Sequence, residues 1–161
     1  MEPKIGVLDI GMGNVRSIIN AVYVQGLDAI RVTTPSELDN ITHLIIPGVG
    51  HFGYCSKLLS DTGFTKKLPC FIESKRPVLG ICIGMQLLFS GSDESPGSDG
   101  LSIFSERFER IQGSDFRVPH MGWNEVTWQK DHPVIEGIKS GMDFYFVHSY
   151  FLKEDLKDGL S

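Results

Sequence analysis

The sequence predicts an α/β fold: a mainly parallel central sheet with helices on both faces, plus short antiparallel strands late in the chain. Two observations predict it. Apolar runs of strand length alternate with segments whose apolar residues recur at helical spacing, with glycine-rich turns between them. Beyond residue 90 the texture changes to short aromatic or β-branched runs separated by turns.

Each element follows in order. "KIGVLDIG" from Lys4 reads as a buried strand. The helix after it spans Asn14 to Gly26, with Val15, Ile18, Ile19 and Val22 on one face and Gly26 as its stop. "AIRVTT" is a second strand, and Ser36 in "PSELD" is the expected N-cap of one short turn. "HLIIPGVG" is a third strand running into a glycine loop. "CSKLLSDTG" and "FTKKLPCFIESKR" are helical, the second with an expected interruption at Pro69, which lacks an N–H. "PVLGI" is the next strand, and "GMQLLF" opens the next helix. "SGSDESPGSDG" is a polar loop whose Asp93, Glu94 and Asp99 are expected to be solvated. "FERIQG", "WNEVTWQ" and "DFYFVHSYFL" read as strands, with Trp128, Phe144, Tyr145 and Phe146 as core or sheet aromatics. Without a repeat or a long linker, one domain is expected over residues 1–161.

Composition narrows the function. A chain of 161 residues with 41% hydrophobic and 22% charged residues suits a globular domain with a real core. A formal charge of −5 and no Lys/Arg block argue against nucleic acid as a partner. The longest apolar run, Val78 to Phe89, is too short to cross a bilayer, and Asp9 interrupts the N-terminal apolar stretch that a signal peptide would need. Three cysteines without CxxC spacing argue against disulfides and zinc, so a reducing, cytoplasmic setting without metal or cofactor is expected. Gly11-Met12-Gly13 begins like a dinucleotide fingerprint, but Arg16 stands where the third glycine belongs and no acidic residue ends the second strand. Asn14 and Arg16 then either face a partner or simply start a helix.

The stretch Gly80-Ile81-Cys82-Ile83-Gly84 lies between a strand and a helix. A lone cysteine in an apolar run is ordinarily core. Flanking glycines on a strand-to-helix turn reverse that preference, because small neighbours let a strained nucleophile turn close. Free N–H groups of the following helix would favour a thiolate. An attacking thiolate needs an oxyanion hole. Ile83 N–H is one expected donor, and the Gly48-Val49-Gly50 loop is the second. Cys55 and Cys70 carry no such context and read as structural.

Four motifs together carry a family resemblance. "GICIGMQLL" resembles the nucleophile motif of class I (triad) glutamine amidotransferases, and "PGVGHFG" resembles their oxyanion loop. "VPHMGWN" and "FVHSYF" narrow this to the glutaminase subunits of imidazole glycerol phosphate synthases, of histidine biosynthesis. The resemblance runs from Lys4 to about Leu152. It implies a flavodoxin-like fold and a Cys82 that attacks the side-chain amide of glutamine, releasing ammonia. Gln86 and the Gly48–Gly50 loop would line the pocket. His148, Ser149 and Tyr150 would lie beside it, with backbone groups holding the α-carboxylate. The implied partner is a (β/α)8-barrel cyclase, which would take the ammonia to form imidazole glycerol phosphate and an aminoimidazole carboxamide ribotide. Asn14, Arg16, His120, Met121, Trp123 and Asn124 would lie near that interface.

The family pattern also has a His-Pro-Glu segment that supplies base and orienter, and no such run occurs among the five histidines here. The C-terminal part of the fold is therefore expected to be missing. The chain alone is expected to show little glutaminase activity and reduced stability. A paralogous subunit feeding another synthase, for instance in surface-sugar biosynthesis, and a non-catalytic remnant of the fold remain alternatives.

Overall fold

The computed structural model describes residues 2–112 and 117–153. The chain divides into two compact units, Met1–Phe108 and Glu109–Ser161.

The first unit is an α/β layer structure. Four strands, β1 (Ile5–Leu8), β2 (Ala29–Val32), β3 (His43–Gly48) and β4 (Val78–Cys82), form a sheet in the order β2-β1-β3-β4. All three pairings are parallel, as the alternation of strands and helices predicts. The two interior strands carry the continuous apolar runs, and Val7, Leu8, Leu44 and Ile46 are fully buried. The edge strand β2 leaves Ile30 half exposed. Sequence order reverses between β1 and β3, so a crevice is expected at their carboxyl ends.

The helices follow from spacing and caps. In α1 (Val15–Val24), Asn14 Oδ1 accepts the Ser17 N–H at 3.2 Å, a side-chain N-cap. In α2 (Phe52–Asp61), Phe52, Cys55 and Leu59 face the core at helical spacing. In α3 (Phe64–Glu73), Phe64, Leu68 and Phe71 do the same. Pro69 does not interrupt α3, contrary to the sequence expectation. Proline inside a helix costs about 3 kcal/mol. Burial of two aromatics and a leucine on one ten-residue helix is of comparable size.

Two further expectations are corrected. The short 3₁₀ turn Pro35–Asn40 is capped by Thr34, not Ser36. Glu37 reaches back to accept the Thr33 and Thr34 N–H groups at 2.6 and 2.9 Å, and these bonds hold its carboxyl below the usual range. The polar loop after Ser90 is not simply solvated. Ser92 and Ser95 are buried. Glu94 Oε2 accepts the Phe52 N–H at 2.7 Å, and Ser95 Oγ accepts the Gly53 N–H at 3.0 Å. The residue before α2, His51, caps nothing with its side chain, so a loop forty-two positions away satisfies the free donors instead. Glu94→Ala is expected to lower stability by about 1–2 kcal/mol, measured by urea titration. In the same region β5 (Gly91–Ser92) runs parallel to the start of β6 (Arg107–Arg110).

The second unit is antiparallel. β7 (His120–Val126) pairs with β8 (Met142–His148) over seven residues, from His120↔His148 to Val126↔Met142. The connection between them is closed by Trp128, whose indole N–H donates to the Ile138 carbonyl at 3.1 Å while its ring meets Phe144 edge-on. β9 (Tyr150–Phe151) pairs with Glu109 and Arg110. Tyr145, on β8, is a sheet aromatic and not a core one: it is 54% exposed.

Candidate functional site

β4 ends on Cys82, which adopts φ 55° and ψ −119°. A side chain with a Cβ rarely occupies this region, which costs about 1–3 kcal/mol. The strain exposes the thiol at the carboxyl end of the sheet. The glycines on either side are there for close approach. A Cβ on Gly84 would overlap the Ile46 carbonyl of β3, and one on Gly80 would overlap the Met85 backbone. The elbow therefore folds flat against its neighbouring strand, as its spacing predicts.

α4 is a single turn, Ile83–Gln86. Its first residue, Ile83, presents one of the free N–H groups of a helix start. So short a helix adds little macrodipole, and local N–H groups are the main electrostatic aid it can offer the sulfur.

The second loop sits where the sequence expects it. Strand register pairs Gly48 with Cys82 and Pro47 with Ile81. Gly48 packs so closely on the Ile83–Gly84 peptide that no side chain fits there. Gly50 has φ 106°, a conformation suited to glycine. Val49 N–H donates to the Met12 carbonyl at 2.7 Å, so in this state that donor is tied to the turn after β1. Val49 O is 3.7 Å from Cys55 Sγ. Sequence reasoning gave Met12 and Cys55 no part in this loop. The Gly-Met-Gly spacing was the available signal for Met12, and nothing distinguished Cys55.

Gln86 follows Cys82 by one helical turn. It is buried, and its Oε1 has no hydrogen-bond partner among the described residues. An orphaned buried carbonyl costs about 1–3 kcal/mol and marks a place for a donor from a ligand or water. Burial, with Glu94 and Cys82 as further contributors, pushes the Cys55 thiol above its usual value. Brief alkylation of the folded protein should therefore modify Cys82 and Cys70 and spare Cys55, as peptide mass spectrometry would read.

Each of the five histidines has a hydrogen-bond partner of its own. His43 Nδ1 pairs with Thr42 Oγ1 at 2.8 Å, and His51 Nδ1 with Ser95 Oγ at 3.1 Å. His132 Nδ1 accepts the Val134 N–H at 3.1 Å. In the second unit, His120 and His148 bond to each other at 2.9 Å. The expected interface residues divide there by strand alternation. Met121 and Trp123 are 59% and 70% exposed, and share a face with Tyr145 and Val147. His120 and Asn124 lie on the opposite face, 2.8 Å apart. Asn14 and Arg16 line a cavity of about 450 Å³ with Asp9, Gly13, Ile19 and Arg31. Among the described residues, no group of three or more His, Cys, Asp or Glu is arranged to hold a metal ion, and no helix is long and apolar enough to cross a membrane.

Comparison with known proteins identifies the family and supports the fold. Residues 6–161 match the family model described as glutamine amidotransferase class-I. The imidazole glycerol phosphate synthase subunit HisH of Caldanaerobacter subterraneus subsp. tengcongensis is 42% identical over 154 residues, 96% of this chain and 75% of that protein. The HisH subunit of Halalkalibacterium halodurans is 40% identical over 97% of this chain and 75% of its own. In Schizosaccharomyces pombe the similar protein is imidazole glycerol phosphate synthase hisHF, 38% identical over 93% of this chain and 28% of that protein. A crystal structure of a glutamine amidotransferase aligns with TM-score 0.71 over 96% of this chain and 76% of its own, at 22% identity, and supports the fold. The chain belongs to the class-I glutamine amidotransferases, with the HisH subunits of imidazole glycerol phosphate synthase as its relatives.

Proposed function

We propose that the protein is the glutamine-hydrolysing subunit of an imidazole glycerol phosphate synthase, supplying ammonia to a cyclase partner in histidine biosynthesis. The observation that carries the proposal is the strained, exposed Cys82 with Gln86 Oε1, unpartnered among the described residues, one turn after it. Cys82 Sγ attacks the side-chain carbonyl carbon of glutamine. The tetrahedral oxyanion is met by Ile83 N–H and by a donor of the Gly48–Gly50 loop. Collapse expels ammonia and leaves a thioester, which water hydrolyses to glutamate. Each proton transfer needs a general acid–base, the role of the family's His-Pro-Glu segment.

Gln86 Oε1 would accept a hydrogen bond from the substrate. Both units belong to one amidotransferase domain, in keeping with the family match over residues 6–161. The partner surface includes Met121 and Trp123, whose exposed apolar side chains suit a covered interface. Asn14, Arg16, His120 and Asn124 are further candidate contacts of that partner. The partner is a (β/α)8-barrel cyclase, and the compartment is the cytoplasm. No cofactor is required.

Titrating a HisF-type cyclase subunit into the protein tests the partner assignment. A one-to-one complex that weakens at least tenfold in Trp123→Ala is the expected result. No association at micromolar concentrations would overturn it.

A further inference from the structure

We infer that Ser95 is a positioning residue for the Gly48–Gly50 loop, holding the exit of that loop through His51 and Gly53. The inference rests on the reading of the loop as a source of an oxyanion donor. It adds a residue that touches no reacting atom, and every group it involves lies within the unit Met1–Phe108.

The loop leaves through a helix start that depends on a distant turn. Gly50 leads into His51, and α2 begins at Phe52. The His51 carbonyl accepts the Cys55 N–H at 3.1 Å, but its side chain caps no helical N–H. His51 Nδ1 instead lies 3.1 Å from Ser95 Oγ. The same oxygen accepts the Gly53 N–H at 3.0 Å. A hydroxyl has one hydrogen and two lone pairs, so Ser95 serves both partners at once. Between them, the Phe52 N–H donates to Glu94 Oε2 at 2.7 Å.

The turn that carries Ser95 is itself braced. Ser95 is buried. The Ser95 N–H donates to the Ser92 carbonyl and the Ser98 N–H to the Ser95 carbonyl, both at 3.0 Å, so two turns follow one another. The Asp93 N–H donates to the Phe108 carbonyl at 2.8 Å, and Arg107 Nη2 donates to the Ser92 carbonyl at 2.7 Å. The first turn of α2 seats closely on this platform. A Cβ on Gly53 would come within 2.6 Å of Ser95 Oγ and 2.9 Å of Ser98 Oγ.

The position of α2 is passed back to the loop. Cys55 closes the first turn of α2, and its Sγ is 3.7 Å from the Val49 carbonyl. The Val49–Gly50 peptide is trans, so its carbonyl and its N–H point in opposite directions. A carbonyl held toward the buried Cys55 turns the Gly50 N–H away from the core, where the loop is exposed. The entry of the loop is fixed separately, by the Gly48↔Cys82 pairing and by the bond from Val49 N–H to Met12 O. An oxyanion donor is effective only when it is held in place before the reaction. Ser95 supplies that hold at the exit.

Saturation kinetics with a chloroketone analogue of L-glutamine test this, with the label on Cys82 followed by mass spectrometry. The Cys82 thiolate forms a C–S bond to the chloromethyl carbon and chloride leaves, while the adjoining ketone oxygen draws on the oxyanion donors. Ser95→Ala should lower the limiting rate about five- to tenfold and leave the half-saturation concentration within about twofold. Methyl methanethiosulfonate, which has no carbonyl, should label Cys82 equally fast in wild type and variant. His51 is exposed, so it provides a second variant should Ser95→Ala not fold. His51→Leu should lower the limiting rate about threefold or more, and His51→Asn, which presents an amide near the Nδ1 position, should keep the wild-type rate. An unchanged limiting rate in Ser95→Ala, or in His51→Leu if Ser95→Ala does not fold, overturns the inference. So does an equal fall in methanethiosulfonate labelling, or a His51→Asn as slow as His51→Leu. Wild-type alkylation that never saturates would overturn the glutamine reading itself, a result distinct from the failure of Ser95 alone.

Discussion

Gly84→Ala is expected to lower stability by about 3 kcal/mol or more and to abolish the reactive elbow together with it. The added methyl would overlap the Ile46 carbonyl, which is backbone of an interior strand and cannot rotate away. Relief requires β4 and α4 to move off β3. That movement would also break the contact between Gly48 and the Ile83–Gly84 peptide. Equilibrium urea unfolding would read the loss, and the glutamine-analogue label at Cys82 would fall in parallel. A variant with the wild-type midpoint and unimpaired labelling would show that the strands are not packed this closely.

Cys82→Gly separates stability from function. Glycine adopts φ 55° and ψ −119° without a Cβ penalty, so the strain at this position is released. The greater freedom of glycine in the unfolded chain offsets part of the gain. The net expectation is a stabilisation of about 1 kcal/mol, seen as a higher urea midpoint. Capture of a glutamine-analogue electrophile disappears completely, because the attacking sulfur is gone. A functional residue held in strain should show this opposition. Destabilisation by Cys82→Gly would mean that the thiol is core packing.

The parts of the fold that repeat a short-range pattern were legible. β1, β3 and β4 are apolar runs bounded by glycine turns, and α1, α2 and α3 bury residues at helical spacing. The elbow was legible because its glycines mark a conformation that few sequences need. Pro69 was misread because local propensity predicts a break, while burial of Phe64, Leu68 and Phe71 outweighs it. The 90–100 loop was misread because its composition is polar, yet Glu94 and Ser95 fill the donor sites at the start of α2. No sequence periodicity links positions so far apart. The engagement of Val49 N–H with Met12 O has the same character. The His120–His148 bond depends on a strand register that seven paired residues establish together.

The central claim is that Cys82 is a nucleophile shaped for glutamine, and site-resolved alkylation tests it most directly. The folded protein is incubated with the chloroketone analogue of L-glutamine, with and without competing L-glutamine, and every cysteine-containing peptide is quantified. The account predicts saturable modification of Cys82 that L-glutamine suppresses and D-glutamine does not, with Cys55 protected and exposed Cys70 reacting slowly and without saturation. Modification of Cys82 and Cys70 at similar, non-saturating rates, indifferent to L-glutamine, would contradict it.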